Sequence, residues 1–137
     1  MVSERLMDRL LLRLTGLNGF LAVAMGAFGA HGLKGMLESH EDALLRLSWW
    51  ETASHYHLSH ALALGLCAWL SGAVGGRSRA AGYCFQIGIL LFSGSLYLMT
   101  LTGLRALGMV TPIGGLFLLA GWALIFFTAG NSRPKSE

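Results

Sequence analysis

The sequence predicts an all-α integral membrane protein, a four-transmembrane-helix bundle with both termini cytoplasmic. Three observations carry this. Only 12% of the 137 residues are charged while 54% are hydrophobic, against about 25% charged in ordinary soluble domains. The few charges are segregated, leaving charge-free runs at Leu14–Leu33, Thr52–Gly76, Ala80–Leu104 and Ala106–Ser132. Each is long enough to cross a bilayer core, which takes about 20 helical residues. Finally, the basic residues gather at the ends of these runs, where they set orientation.

The length is that of one domain, 1–137. Four spans leave almost nothing for a water-soluble body, which excludes a soluble enzyme, a nucleic-acid-binding domain and a secreted disulfide scaffold. The net charge of +3 is a topology signal rather than a binding patch, and no nucleic-acid partner is expected. Met1–Arg13 reads as an amphipathic lead, with Leu6, Leu10 and Leu14 four residues apart. The first span, about 10–30, is rich in small residues. Ala22, Gly26 and Ala30 recur every four and permit close helix contact. Asn18 interrupts its apolar run, and the run is read as a retained span rather than a cleavable leader. Residues 33–50 form the one sizeable polar segment, read as an amphipathic interfacial helix ending in Trp49-Trp50 at the headgroup boundary. The second span is about 52–71, followed by a Gly/Ser/Arg turn, and the third is about 80–101. The fourth, about 112–129, opens at Thr111-Pro112, a capping residue followed by a proline suited to the first helical position. It closes at Gly130-Asn131.

With four spans, Arg5, Arg9, Arg13, Arg77, Arg79, Arg133 and Lys135 share one side, and Lys34, Arg46 and Arg105 the other. The richer side is expected to be cytoplasmic. The expected location is the bacterial inner (cytoplasmic) membrane.

Histidine supplies the most unusual feature. His31 closes the first span, and His55, His57 and His60 open the second. His57 and His60 share a helix face, about 60° apart, while His55 stands one turn after Glu51 and can pair with it. One reading makes His31, His57 and His60 ligands for a metal, a haem iron or a quinone headgroup, since neutral imidazole suits such centres. The other makes them hydrogen-bonding groups between helices. No second histidine pair on spans three or four completes a bis-histidine haem, and no cofactor is required by the sequence. Asn18 and Gln86 form a second polar pair, expected to bond each other inside the membrane. No Asp, Glu, Lys or Arg falls at the middle of any expected span, which argues against a proton-coupled exporter. Cys67 and Cys84 are expected as neighbours near the cytoplasmic face, without a role. Gly88, Gly94, Gly114, Gly115 and Gly121 thin spans three and four for helix packing.

Several motifs then fall in a familiar order. They are Gly26-Ala27-Phe28-Gly29-Ala30-His31-Gly32, Thr52-Ala53 with Tyr56-His57 and His60-Ala61-Leu62-Ala63, and Leu91-Phe92-Ser93-Gly94-Ser95-Leu96-Tyr97. Thr111-Pro112-Ile113-Gly114-Gly115 and Gly121-Trp122 complete the set. Over about Leu12–Gly130 the chain resembles domain-of-unknown-function family 423, the YgdD-like and transmembrane-protein-256-like small membrane proteins. The resemblance implies four helical spans and no mechanism. It implies that His31, His60 and Tyr97 match the family pattern, with His57 matching in many members and His55 not. His31, His57, His60 and Tyr97 are therefore the candidate ligand or metal residues.

Function stands between three expectations. The first is a non-enzymatic accessory or assembly subunit, a scaffold that packs as a homo-oligomer or within a larger membrane complex. The second is a histidine-based site for a metal, haem, quinone or lipid, and the third is a small channel or transporter.

Overall fold

The computed structural model describes residues 8–129. The Leu6 part of the lead, the Gly130-Asn131 stop, and Arg5, Arg133 and Lys135 of the charge count lie outside the described residues. The described chain is helical from end to end, with no strand.

Asp8 starts the first helix, α1 (Arg9–Phe28), by accepting the amide protons of Leu10 and Leu11 on its carboxylate, two of the donors that the first turn of a helix leaves unpaired. Its other oxygen lies 2.6 Å from Arg79 Nε, and its own N–H reaches Ala68 O at 3.1 Å and Ser71 Oγ at 3.2 Å. One capping residue thus ties the start of α1 to the far end of one long helix and the start of the next. A π turn, Gly29–Leu33, carries α1 into the short α2 (Lys34–Leu37). After a turn comes α3 (Ala43–Val74), the longest element at 32 residues. It ends at Gly75, whose φ of +82° lies in the region that favours glycine. Then α4 (Gly76–Gly88), a second π turn (Ile89–Ser93) and α5 (Gly94–Thr102) run on as one rod. A 3₁₀ turn (Arg105–Met109) leads to α6 (Thr111–Ala129).

These rods pack antiparallel in chain order: α1 on α3, α3 on α4 and α5, α4 on α6. Two apolar layers result. One holds Leu11, Leu64, Cys67, Phe85 and Leu118. Towards the opposite end lie Leu33, Leu37 and Trp50, with Ala53, Leu96 and Met99 beside them. The outside is as apolar as the inside: Phe20 is 73% exposed and Phe126 75%. Three helical stretches are long and apolar enough to cross a membrane, Arg9–Leu37, Gly76–Thr102 and Arg105–Thr128. Imidazoles, hydroxyls and two charges in its first half dilute the apolar character of α3, which is not among them.

The interfacial helix expected over 33–50 does not form as a unit. Its first residues continue α1, and everything from Ala43 onward belongs to α3, which begins nine residues before the expected second span. Two residues explain the error. Trp50 is buried between helices, donating Nε1–H to Met25 O at 2.8 Å. Its ring occupies the space beside Gly29, where a Cβ would meet Trp50 Cδ1 at 2.5 Å. Arg46, which reads as a loop charge, is held instead between elements. Its Nε lies 2.8 Å from Asp42 Oδ1 and its Nη1–H reaches Thr100 O at 3.4 Å. The Arg46 guanidinium beside Asp42 holds that carboxyl below its usual range. Thr100 in turn donates to Arg46 O at 3.1 Å, so a cation caps the last turn of α5, where helix carbonyls are unpaired.

The glycines divide. A Cβ at Gly88 would strike Leu118, one at Gly114 the backbone of Phe92, and one at Gly121 the Phe85 ring at 2.5 Å, so α6 sits against α4 and the second π turn only because these residues are glycine. Gly115 has ordinary contact with Phe92 at 3.8 Å. Gly26 and Gly94, expected to pack, have nothing within 4 Å of a Cβ in this chain. Ala22 is buried and Ala30 exposed.

Candidate functional site

Between the two apolar layers runs a chain of polar side chains drawn from α1, α3, α4 and α5. Asn18 and His57 are each 5% exposed. Antiparallel packing sets Asp8 against Ala68, Asn18 against His57 and Met25 against Trp50, so these two residues meet near the middle of both helices.

For a neutral imidazole, the chemistry of the partners fixes the direction of every bond. Asn18 Nδ2 donates to Gln86 Oε1 and to Leu14 O, both at 2.8 Å. That leaves Asn18 Oδ1, an acceptor only, facing His57 Nε2 at 3.2 Å. His57 must therefore carry its proton on Nε2. The other ring nitrogen of the neutral imidazole, Nδ1, then accepts from the Tyr97 hydroxyl at 3.3 Å. The relay reads Tyr97 to His57 to Asn18 to Gln86, each donating to the next. The Tyr97 ring packs on Trp50 with centroids 4.5 Å apart, which seats the phenol.

His60 belongs to a second arrangement one turn along. Its Nδ1 lies 2.7 Å from Tyr56 O, an acceptor only, and its Nε2 lies 3.1 Å from Trp122 Nε1, a donor only. His60 is thus neutral with its proton on Nδ1, the opposite tautomer to His57. Phe85 and Trp122 meet edge-on at 5.1 Å beneath it.

The candidate residues do not converge on one centre. His57 and Tyr97 join each other and the Asn18–Gln86 pair, His60 faces α6, and His31 is exposed on the first π turn without a hydrogen bond in either group. Both ring nitrogens of His57 and of His60 are already in use. A metal or haem iron would have to displace Tyr97, Asn18 or Trp122 to bind, so the donor set does not fit such a group. Among the described residues no three of His, Cys, Asp and Glu converge as metal ligands. Cys67 and Cys84 are both free thiols. His55 is exposed, with its ring edge-on to Tyr56.

Trp122 is the residue the sequence left without a role. Its signal was available: an indole N–H inside a span demands an acceptor, and His60 is the acceptor at that depth. The Asn18–His57 bond was hidden for another reason. Starting the second helix at residue 52 placed Asn18 in one half of the membrane and His57 in the other.

The model of the family described as "Protein of unknown function (DUF423)" matches residues 25–115. The chain is 41% identical to the UPF0382 membrane protein YwdK of Bacillus subtilis, over 85% of this chain and 92% of that protein. It is 42% identical to the UPF0382 membrane protein SAB0533 of Staphylococcus aureus, over 85% and 92%. To SH2409 of Staphylococcus haemolyticus it is 39% identical, over 88% and 94%. No solved structure matches the chain.

Proposed function

The chain belongs to the DUF423 family and is an integral membrane protein, and from that premise we propose a four-span accessory or assembly protein of the cytoplasmic membrane. In this reading α1, α3, the α4–α5 rod and α6 all cross the bilayer, both termini are cytoplasmic, and the chain associates with itself or with a larger membrane complex. It is not an enzyme.

The observation that carries the reading is the saturation of the buried polar groups. His57, His60, Asn18 and the Tyr97 hydroxyl are all neutral and all partnered. Saturated networks of this kind hold helices in register. Association is supported by α1. Gly16 and Gly19 have nothing within 4 Å of a Cβ, between the exposed side chains of Leu17 and Phe20. A second helix approaches closely where small residues thin a face. A transmembrane α3 is supported by its length of 32 residues and by its burial between two apolar rods.

Native mass determination of the full chain in mild detergent tests the proposal. The expected result is an oligomer, or a complex with another membrane protein. A strictly monomeric species that co-purifies with nothing would overturn it.

A further inference from the structure

Glu51 was expected outside the membrane. In the structure it stands eight residues into α3, about 12 Å along the helix from Ala43, on the side turned away from the polar relay. It opens onto a groove of about 560 Å³ between the second half of α1 and the first half of α3. One wall includes Ala22, Val23 and Gly26 of α1 with Ala30 of the first π turn, and the α3 wall includes Trp50, Glu51 and His55. Gly26 keeps the groove open, having nothing within 4 Å. Among the described residues the Glu51 carboxyl has no hydrogen bond or ion pair. Arg46, one turn before it, is engaged with Asp42 and Thr100.

An ionised carboxylate at membrane depth is expensive unless it is paired, and no Lys or Arg lines the groove around it. We propose that this groove is a binding site for a lipophilic organic cation, an ammonium or phosphonium centre carrying apolar arms. Glu51 neutralises the charge, the buried Trp50 closes the floor of the groove, and the small residues of α1 make room for the arms. His55 lies one turn further along α3 on the same wall. The volume suits a small-molecule site, for which about 300–1,000 Å³ is usual. The proposal rests on the reading that α3 crosses the membrane.

The test uses the purified full chain in nanodiscs of neutral phosphatidylcholine, with tetraphenylphosphonium as probe and equilibrium dialysis as readout. Saturable binding is expected, weakened at least tenfold by Glu51→Gln and unchanged by Glu38→Gln, an exposed acid elsewhere. Gly26→Leu, which fills the groove without touching the charge, is expected to abolish binding while helix content is retained. Binding that Glu51→Gln leaves unchanged, or equal binding of neutral triphenylphosphine oxide, would overturn the proposal. So would an absence of binding accompanied by a dimer that Glu51→Gln dissociates, since a second copy would then fill the groove. Labelling separates the two levels of the argument, with cysteines introduced into a Cys67→Ala, Cys84→Ala background. If Glu51→Cys reacts with a membrane-impermeant maleimide as fast as Glu41→Cys, α3 is not embedded and the four-span reading falls as well. Slow labelling without cation binding overturns the site alone.

Discussion

The tautomer of a neutral His57 is set by what its neighbours are able to do. An amide oxygen takes only a proton donor, and with that nitrogen committed the second must accept from Tyr97. Removing the ring leaves Asn18 Oδ1 without its donor in a place where water does not replace it. The pair should therefore behave as a unit. In a double-mutant cycle of Asn18→Leu and His57→Leu, unfolding in detergent is expected to give a coupling of about 0.6 kcal/mol, the average for hydrogen bonds between membrane helices, whose maximum is about 1.7. Strictly additive effects would mean that the two side chains do not share a bond. The opposite tautomers of His57 and His60 also explain why two histidines three apart serve different helices. One donates from Nε2 towards α1 and the other accepts on Nε2 from α6.

At the scale of elements, the outer ends of α3 and α5 are joined by Arg46. Its side chain is 13% exposed, and Gly103, at φ +73°, leaves room for the guanidinium where any Cβ would strike it. Asp42 completes the join, and its carboxyl is held below its ordinary value of 3.8 chiefly by hydrogen bonding with Arg46. A carboxyl whose value falls on folding adds stability above its ordinary value, and that stability is lost as pH drops through the lowered folded value. Asp42→Asn should therefore melt below the parent at pH 7, with the gap closing as the pH is taken below 3.8. A gap of constant size across that range would place the effect elsewhere. The pair explains why a charged segment that reads as surface is built into a helix start: a cation beside helix carbonyls, balanced by one acid, is at home there.

At the scale of the whole molecule, charge placement is what the proposed orientation rests on. Arg77 and Arg79 stand at the start of α4, and Lys34 and Arg46 at the opposite ends of the rods. In the same cysteine-free background, an impermeant reagent on intact cells is expected to label Glu41→Cys and to spare Gly76→Cys. The reverse pattern would invert the topology. Much of the fold was legible because bilayer thickness and charge segregation act on composition alone. Charge-free runs predicted helices where α1, the α4–α5 rod and α6 stand, and Thr111-Pro112 marked the start of α6. What stayed hidden depends on pairing between elements. Trp50 reads as an exposed residue until Gly29 is seen beneath it, Arg46 as a loop charge until Thr100 is seen opposite, and Glu51 as lying before the second helix until α3 is seen to begin at Ala43. Gly26 and Gly114 look alike in sequence, yet one faces open space and the other the backbone of Phe92.

The two π turns, Gly29–Leu33 and Ile89–Ser93, each hold one residue more than an α-ladder requires. Elsewhere in these rods, deleting a residue would swing every later side chain by about 100° and pull Asn18, Gln86 or Tyr97 away from their partners. At a π turn the same deletion only tightens the coil to α. These turns are therefore the places where the rods tolerate a change of length, and where related chains one residue shorter can keep the same internal wiring.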